Sequence, residues 1–441
     1  VSTELRAVID DAPMRPFQWR AIAICVLLNV LDGFDVLVMA FTGRTVAQEW
    51  GLGGAELGLL LSAGLVGMAA GSLALAPVAD RIGRRPVILI GLLVAGSGML
   101  LSSLAPSAVV LGGLRVLTGF GVGGVLACST TIATEYAARR WRPLAVGLVG
   151  IGYAGGATLG GLLAVSMIDT LGWRAVFLTG GTATLVAIPI VLFALPESLQ
   201  FLLTRRPAGA LERVNGLLGR LRVPALSELP PPVAGAAAAR GFRALLAPGV
   251  RPTTLRLWAL FFLVMAGFYV VTSWTPTLLV EAGLSESQGL TGGTLLNLGG
   301  IFGTLLLGLL AARWTLRSVL IGYMLATGVL LAVFLPALGW LAVAFSIGIV
   351  IGVVVNGCVG GMYALTATGY DDGIRATGVG AAIGIGRIGA VVAPTAAGAL
   401  LDAGWTPNAL YLACAVLFVL GAAVLLSFRP AVATAPTAGV Q

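Results

Sequence analysis

Two carboxylates, Asp32 and Asp35, stand three residues apart in Asn29-Val30-Leu31-Asp32-Gly33-Phe34-Asp35, inside an otherwise apolar run. On a helix that spacing puts both on one face. Two like charges that close in a low dielectric disfavour double ionisation, so one of the pair would hold a proton. The chain has no His. With the usual group that titrates near neutral pH missing, proton chemistry falls to Asp or Glu, and this pair is the best placed to do it. The plainer reading is a polar cluster that only packs against other helices. Against it stands the cost of placing acids in apolar surroundings. Two basic groups share that setting. Arg115 opens Arg115-Val116-Leu117-Thr118-Gly119-Phe120-Gly121-Val122-Gly123-Gly124, and Arg387 sits in Gly384-Ile385-Gly386-Arg387-Ile388-Gly389-Ala390. A guanidinium presents a fork that fits a carboxylate bidentately. Arg387 would therefore bind an anion, or else close an internal salt bridge to Asp32 or Asp35. Arg115 is a candidate for proton coupling or for a structural pair.

A second cluster is Asp80-Arg81-Ile82-Gly83-Arg84-Arg85, a carboxylate beside three arginines at the end of an apolar run. Such a group can bridge neighbouring helices in one state and release them in another. Glu135, Arg142 and Arg375 lie at comparable run ends and join the candidate gating set with Asp80, Arg81, Gly83, Arg84 and Arg85. Candidates to complete a binding cavity around Arg387 are Asn29, Phe34, Tyr269, Trp274, Asn297, Phe302, Asn356 and Tyr363. Each could equally be packing or an interfacial anchor.

The elements that must position these groups follow from composition. Of 441 residues, 58% are hydrophobic and only 10% charged, against about 25% charged in an average soluble domain. A chain this apolar needs lipid as its solvent, and a span takes ~20 residues. Apolar runs fall at 19–43, 57–79, 86–105, 108–134, 143–168 and 173–195, then at 253–280, 289–312, 318–337, 339–366, 376–401 and 407–428. They are spans 1 to 12. Three units are expected: residues 1–196 as a six-helix bundle, 197–252 as a polar linker with an amphipathic helix near 208–221, and 253–441 as a second bundle and tail. The first run is too long for the apolar core of a signal peptide and contains two aspartates, so no cleavable leader is expected. The net charge is +8, and all 26 bases are Arg. With the N-terminus inside, 22 of them fall in inner loops and 2 in outer loops, which predicts both termini inside. The bases are interspersed between spans, so nucleic acid is not an expected partner. The four cysteines are Cys25, Cys128, Cys358 and Cys414. They have no metal-ligand spacing and read as packing residues. No metal or cofactor is expected, and no nucleophile–base pair of an enzyme is visible.

The halves echo each other. Arg142-Pro143-Leu144-Ala145-Val146-Gly147 starts span 5, and Arg375-Ala376-Thr377-Gly378-Val379-Gly380 starts span 11. The 63 glycines include small faces on span 4 (Gly119, Gly121, Gly123, Gly124) and span 5 (Gly150, Gly152, Gly155, Gly156, Gly160, Gly161). Such faces serve close static packing or sliding of one helix past another.

Two six-span halves of one orientation are the plan of the major facilitator superfamily. The Asp80–Arg85 loop and the Arg115 run resemble its signatures. Ala76 stands where the loop signature has Gly, and Ala312 where its second-half counterpart has Asp. Asp32-Gly33-Phe34-Asp35, Trp274-Thr275-Pro276-Thr277-Leu278-Leu279, Asn297-Leu298-Gly299-Gly300 and the run through Arg387 resemble the aromatic acid:proton symporter family. Tyr370-Asp371-Asp372 and Val359 depart from that family's pattern. The resemblance implies an all-α integral membrane protein with twelve transmembrane helices in two pseudo-symmetric bundles. It implies symport of a small aromatic carboxylate with protons across the bacterial inner membrane, by a monomer, with Asp32, Asp35, Asp80, Arg84 and Arg85 needed for transport. A proton-antiporting exporter, or an importer of another acid such as a nicotinate-like one, remain as alternatives.

Overall fold

The computed structural model describes Asp10, residues 13–230 and residues 242–427. Twelve helices within them are long and apolar enough to cross a membrane. Spans 1 to 6 are Pro16–Trp50, Gly54–Ile82, Arg84–Ser102, Ala108–Tyr136, Arg142–Leu171 and Trp173–Ala194. Spans 7 to 12 are Arg251–Glu281, Glu286–Ala311, Leu316–Phe334, Leu341–Thr368, Asp372–Asp402 and Pro407–Ser427. Hydropathy places them because lipid cannot hydrogen-bond a backbone, so each crossing must satisfy its own as helix.

The helices pack as two bundles with one pattern. Span 1 lies on span 5, span 2 on span 4, and span 3 on spans 4 and 6. Shifted by six, the same pairs recur as 7 with 11, 8 with 10, and 9 with 10 and 12. Across the halves span 2 meets span 11 and span 5 meets span 8, contacts that the same pseudo-twofold exchanges.

Missing side chains make the closest contacts. A Cβ on Gly33 would lie 1.9 Å from the Tyr153 carbonyl oxygen, and one on Gly156 would lie 1.8 Å from that of Val30. Spans 1 and 5 therefore touch backbone to backbone on either side of Asp32. Gly150 and Gly155 meet nothing within 4 Å, so the small face of span 5 is only partly used for packing.

Between the bundles run helices Leu199–Arg205 and Ala210–Leu221, the second close to the amphipathic helix expected at 208–221. Its Val214, Leu217, Leu218 and Leu221 join Phe17, Leu199 and Leu202 in one buried cluster, so it docks on the first half. Pro231, Pro232 and the Ala run lie outside the described residues. The end of the molecule carrying this linker is called the linker face, the opposite end the far face. The four cysteines are buried and free.

The far face is closed. Asp402, ending span 11, accepts hydrogen bonds from the backbone N–H groups of Gly54 (2.6 Å) and Ala55 (2.7 Å), which start span 2. A carboxylate at a helix N-terminus meets both unpaired donors and the positive end of the dipole. Beside it Ser62 bonds Thr395 at 2.9 Å, and Thr45 donates to Glu286 at 2.8 Å. A Cβ on Gly398 would lie 1.9 Å from the Gly54 carbonyl oxygen, so the two halves touch there as closely as helices can.

Candidate functional site

Span 1 is a 35-residue helix, and it carries Asp32 and Asp35 deep in the molecule, each 3% exposed. The two acids differ in what faces them. Arg115 of span 4, 1% exposed, donates from Nη1 to Asp35 Oδ1 at 2.7 Å and from Nη2 to the Asp35 carbonyl at 2.6 Å. Its guanidinium also sits 5.8 Å from the centre of the Phe177 ring. One arginine thus holds both the side chain and the backbone of that turn. Asp32 Oδ2 is buried and has no hydrogen-bond partner among the described residues.

The internal bridge weighed for Arg387 is not formed: Arg115 takes Asp35 instead. The reason is packing, since span 4 lies against span 1 within one half, whereas Arg387 belongs to the other. Arg387 is half-buried near the middle of span 11 and makes no ion pair or hydrogen bond among the described residues. Around it the halves contribute tyrosines. Tyr363 of span 10 interacts electrostatically with Arg387 and Tyr269. Tyr153 of span 5 lies against Tyr269, with a side-chain contact of hydrogen-bonding type across the halves, and interacts electrostatically with Arg387 and Asp32. Tyr363 is 37% exposed and stacks edge-on against Phe261, whereas Tyr269 is buried.

Other residues expected at a cavity have different partners. Asn29 donates to the Cys25 carbonyl at 2.9 Å and to Ser129 Oγ at 3.1 Å, tying span 1 to span 4. Phe34 is buried against Gly160, Gly180 and Met99 within the first bundle. Trp274 is fully buried and donates to the Pro394 carbonyl at 3.0 Å, joining spans 7 and 11. These three act in packing inside one half, because their polar atoms or rings are already occupied there. Asn297 and Asn356 donate to the carbonyls one turn back, of Gly293 at 2.9 Å and Gly352 at 3.1 Å. Asn356 also lies against Gly300. Phe302 is 54% exposed, a ring that lipid can cover.

At the linker face, Arg84 ion-pairs with Glu135 and donates to Ser198 Oγ at 3.2 Å, while Ser198 donates to Glu135 at 2.7 Å. Glu197 Oε1 accepts from the backbone N–H groups of Arg84 (2.9 Å), Arg85 (3.2 Å) and Ser198 (2.8 Å). Gly83 turns the chain there at φ 106°, and a Cβ would lie 2.5 Å from Glu197 Oε2. Arg85 donates to the Leu192 carbonyl. Span 6 is thereby tied to the start of span 3 and the end of span 4.

Glu197 and Glu135 bond the start of span 3 directly, while Asp80 acts on Arg84 electrostatically. Asp80 is exposed, and its carbonyl accepts from Arg205 Nε at 2.9 Å. The carboxylate position best served by the dipole of span 3 is already filled by Glu197. Arg81 is exposed. Arg142 pairs with Asp10, and Arg375 donates to the Tyr370 carbonyl at 3.3 Å.

Sequence reasoning missed Tyr153 and Asp402. Tyr153 is the only aromatic in Gly150–Gly156, which is a usable signal. Asp402 carries none, since an acid at a span end reads as a solvated loop charge.

The Major Facilitator Superfamily model matches residues 22–394. This chain belongs to the Major Facilitator Superfamily. The facilitator is 32% identical over 406 residues to the 4-hydroxybenzoate transporter PcaK of Pseudomonas aeruginosa, covering 91% of this chain and 90% of that one. It is 35% identical over 407 residues to a gallate transporter of Pseudomonas putida, covering 90% and 88%. Among solved structures, the xylose transporter XylE from E. coli in a partially occluded inward open conformation superposes with a TM-score of 0.75 at 17% identity, covering 94% and 98%. As a facilitator it is a multi-pass membrane transporter, not an enzyme.

Proposed function

We propose that this facilitator imports a small aromatic carboxylate together with protons across the bacterial inner membrane, with both termini in the cytoplasm. The observation that carries the reading is the pair of unmatched charges at mid-membrane. Asp32 comes from the first half and Arg387 from the second, and both act on Tyr153. Unpaired ionisable groups at that depth are expensive and are kept for function. The identity to transporters of 4-hydroxybenzoate and gallate supports an aromatic acid as cargo.

Arg387 receives the carboxylate through its fork. Asp32 takes a proton from outside and releases it inside, and its neutralisation removes the repulsion it would exert on the anion. Asp35 and Arg115 form a second, matched pair three residues on, whose opening and closing couples the turn carrying Asp32 to span 4. Symport of one carboxylate with one proton is electroneutral and is driven by the pH gradient; each further proton adds one net positive charge, which through 100 mV gains about 2.3 kcal/mol, roughly a 50-fold accumulation. A single chain holds both members of the site, so a monomer suffices.

The test is uptake of labelled 4-hydroxybenzoate into proteoliposomes under an inward proton gradient. Wild type accumulates the acid; Asp32→Asn loses gradient-driven accumulation, and Arg387→Ala loses uptake altogether. Failure to take up any aromatic acid, with efflux of a cationic dye, would reverse the reading to an exporter.

A further inference from the structure

We infer that the crevice between the end of span 8 and the start of span 9 binds an anionic phospholipid, with its phosphate on Arg313, a glycerol ester carbonyl on Tyr323 and an acyl chain along Gly322. The crevice lies at the linker-face end of these spans. It is lined by Leu310, Trp314, Ser318, Val319, Gly322 and Tyr323 and has a volume of about 230 Å³. A missing side chain makes the space, since a Cβ on Gly322 would meet nothing within 4 Å. Leu309 and Trp314 beside it are 70% and 59% exposed. An indole at a span end sits at headgroup depth.

The two halves neutralise this place differently. At the start of span 3, Arg84 pairs with Glu135, and Glu197 accepts from the backbone N–H groups of Arg84 and Arg85. The start of span 9 is its counterpart under the pseudo-twofold. It carries Arg313 and Arg317, with Ala312 beside them and no acid in the loop. Arg317 donates to the Leu425 and Leu426 carbonyls near the end of span 12. Arg313 is exposed, and its side chain has no ion pair or hydrogen bond among the described residues. The counter-charge that Glu135 supplies in the first half must here come from outside the chain. At headgroup depth that charge is a lipid phosphate. A zwitterionic lipid brings its own cation, so an anionic one is favoured.

A second observation lies deeper in the same crevice. Tyr323 is 7% exposed, and its hydroxyl is buried with no hydrogen-bond partner among the described residues. It stands seven residues beyond Leu316, the first residue of span 9, which is about 10 Å along the helix. A buried hydroxyl left unbonded is costly, and its O–H can be donated to an ester carbonyl. Free phosphate brings no acceptor to that depth and no chain to fill an apolar groove. A phospholipid brings all three groups in the order in which the crevice presents their partners.

The experiment uses Ser318→Cys in the full-length protein. Ser318 lines the crevice and is exposed, whereas the native cysteines are buried. The rate of labelling by N-ethylmaleimide is measured in nanodiscs of phosphatidylcholine, with and without phosphatidylglycerol. A bound lipid shields the thiol. Phosphatidylglycerol should slow labelling at least about fivefold, the worth of one basic residue at an anionic headgroup. Adding Arg313→Gln should abolish the slowing. Ester-linked phosphatidylglycerol should shield more than its diether analogue, and Tyr323→Phe should remove that difference. Equal rates with and without phosphatidylglycerol overturn the inference. So does slowing that survives Arg313→Gln, as a general surface-potential effect would. Slowing by inorganic phosphate in phosphatidylcholine discs also overturns it, by showing an anion site that needs no lipid. Equal shielding by ester and diether lipid overturns the contact with Tyr323. Should Arg313→Gln fail to fold, the comparison of lipids on Ser318→Cys alone decides.

Discussion

Asp32 and Asp35 look equivalent as residues, yet the structure separates them. Asp35 shares its charge with Arg115, and both are almost fully buried. Breaking a buried pair by removing one partner leaves an uncompensated charge and costs about 3–5 kcal/mol. Arg115→Ala should therefore lower the melting temperature of the purified protein markedly. Asp35→Asn added to it should restore part of the loss, because the orphaned charge is then gone. Unchanged melting in Arg115→Ala would mean that the pair contributes no net stability. Asp32 has no such partner. Its Asn variant should keep its melting temperature while losing gradient-driven accumulation, since it removes a proton site and no matched pair.

The decisive contacts between elements are made by glycine backbones and by helix ends. Gly33→Ala would drive a methyl group into the Tyr153 carbonyl, whereas Gly150→Ala meets nothing within 4 Å. The expected outcome is loss of monodisperse protein and of uptake for Gly33→Ala, and near wild-type behaviour for Gly150→Ala, read by size-exclusion yield and transport. At the far face, Asp402 bonds the first two N–H groups of span 2 across the halves. Asp402→Ala removes both bonds and should shift the population toward a state open on that face. A cysteine at Ser62, which packs against Thr395 between the halves, should then react several-fold faster with an impermeant maleimide from that side. Unchanged reactivity would show that the glycine contact at Gly54 and Gly398 holds the face closed without Asp402. At the linker face, Arg84 pairs with Glu135, the Ser198 hydroxyl donates to Glu135, and Glu197 accepts from the backbone N–H of Arg84, all within the first half and its linker.

For the whole molecule, the pseudo-twofold exchanges the two halves and leaves the linker face and the far face distinct. The sequence count of 22 arginines in expected inner loops against 2 in outer ones predicts that the linker face lies toward the cytoplasm. With all native cysteines buried, single new ones report the side directly. Ser227→Cys in the linker should be labelled by an impermeant maleimide only in inverted vesicles. Ser287→Cys at the start of span 8 should be labelled only in intact cells. The reverse pattern would overturn the orientation and the direction of transport with it. In the expected orientation the closed far face is the outer one.

Twelve spans, the linker helix and the arginine bias could be read along the chain, because hydropathy, helix periodicity and loop charge are local properties; the helix ends could not, since span 1 runs from Pro16 to Trp50 beyond its apolar run of 19–43. The presence of acids and arginines at membrane depth, whose cost makes them conspicuous wherever they occur, could be read too. Their pairing could not. Arg115 reaches Asp35, and Arg387 stays unpaired, because span 4 packs on span 1 while span 11 crosses to span 2. Those choices depend on which glycine faces dock and in what register. Asn29, Phe34 and Trp274 have the composition of a binding site and the surroundings of a core, a difference only neighbouring helices create. Tyr153 enters the site, and Asp402 caps a helix of the other half, through contacts between residues more than a hundred positions apart. Sequence spacing carries no signal for them, because the energy of such contacts exists only once the helices have met.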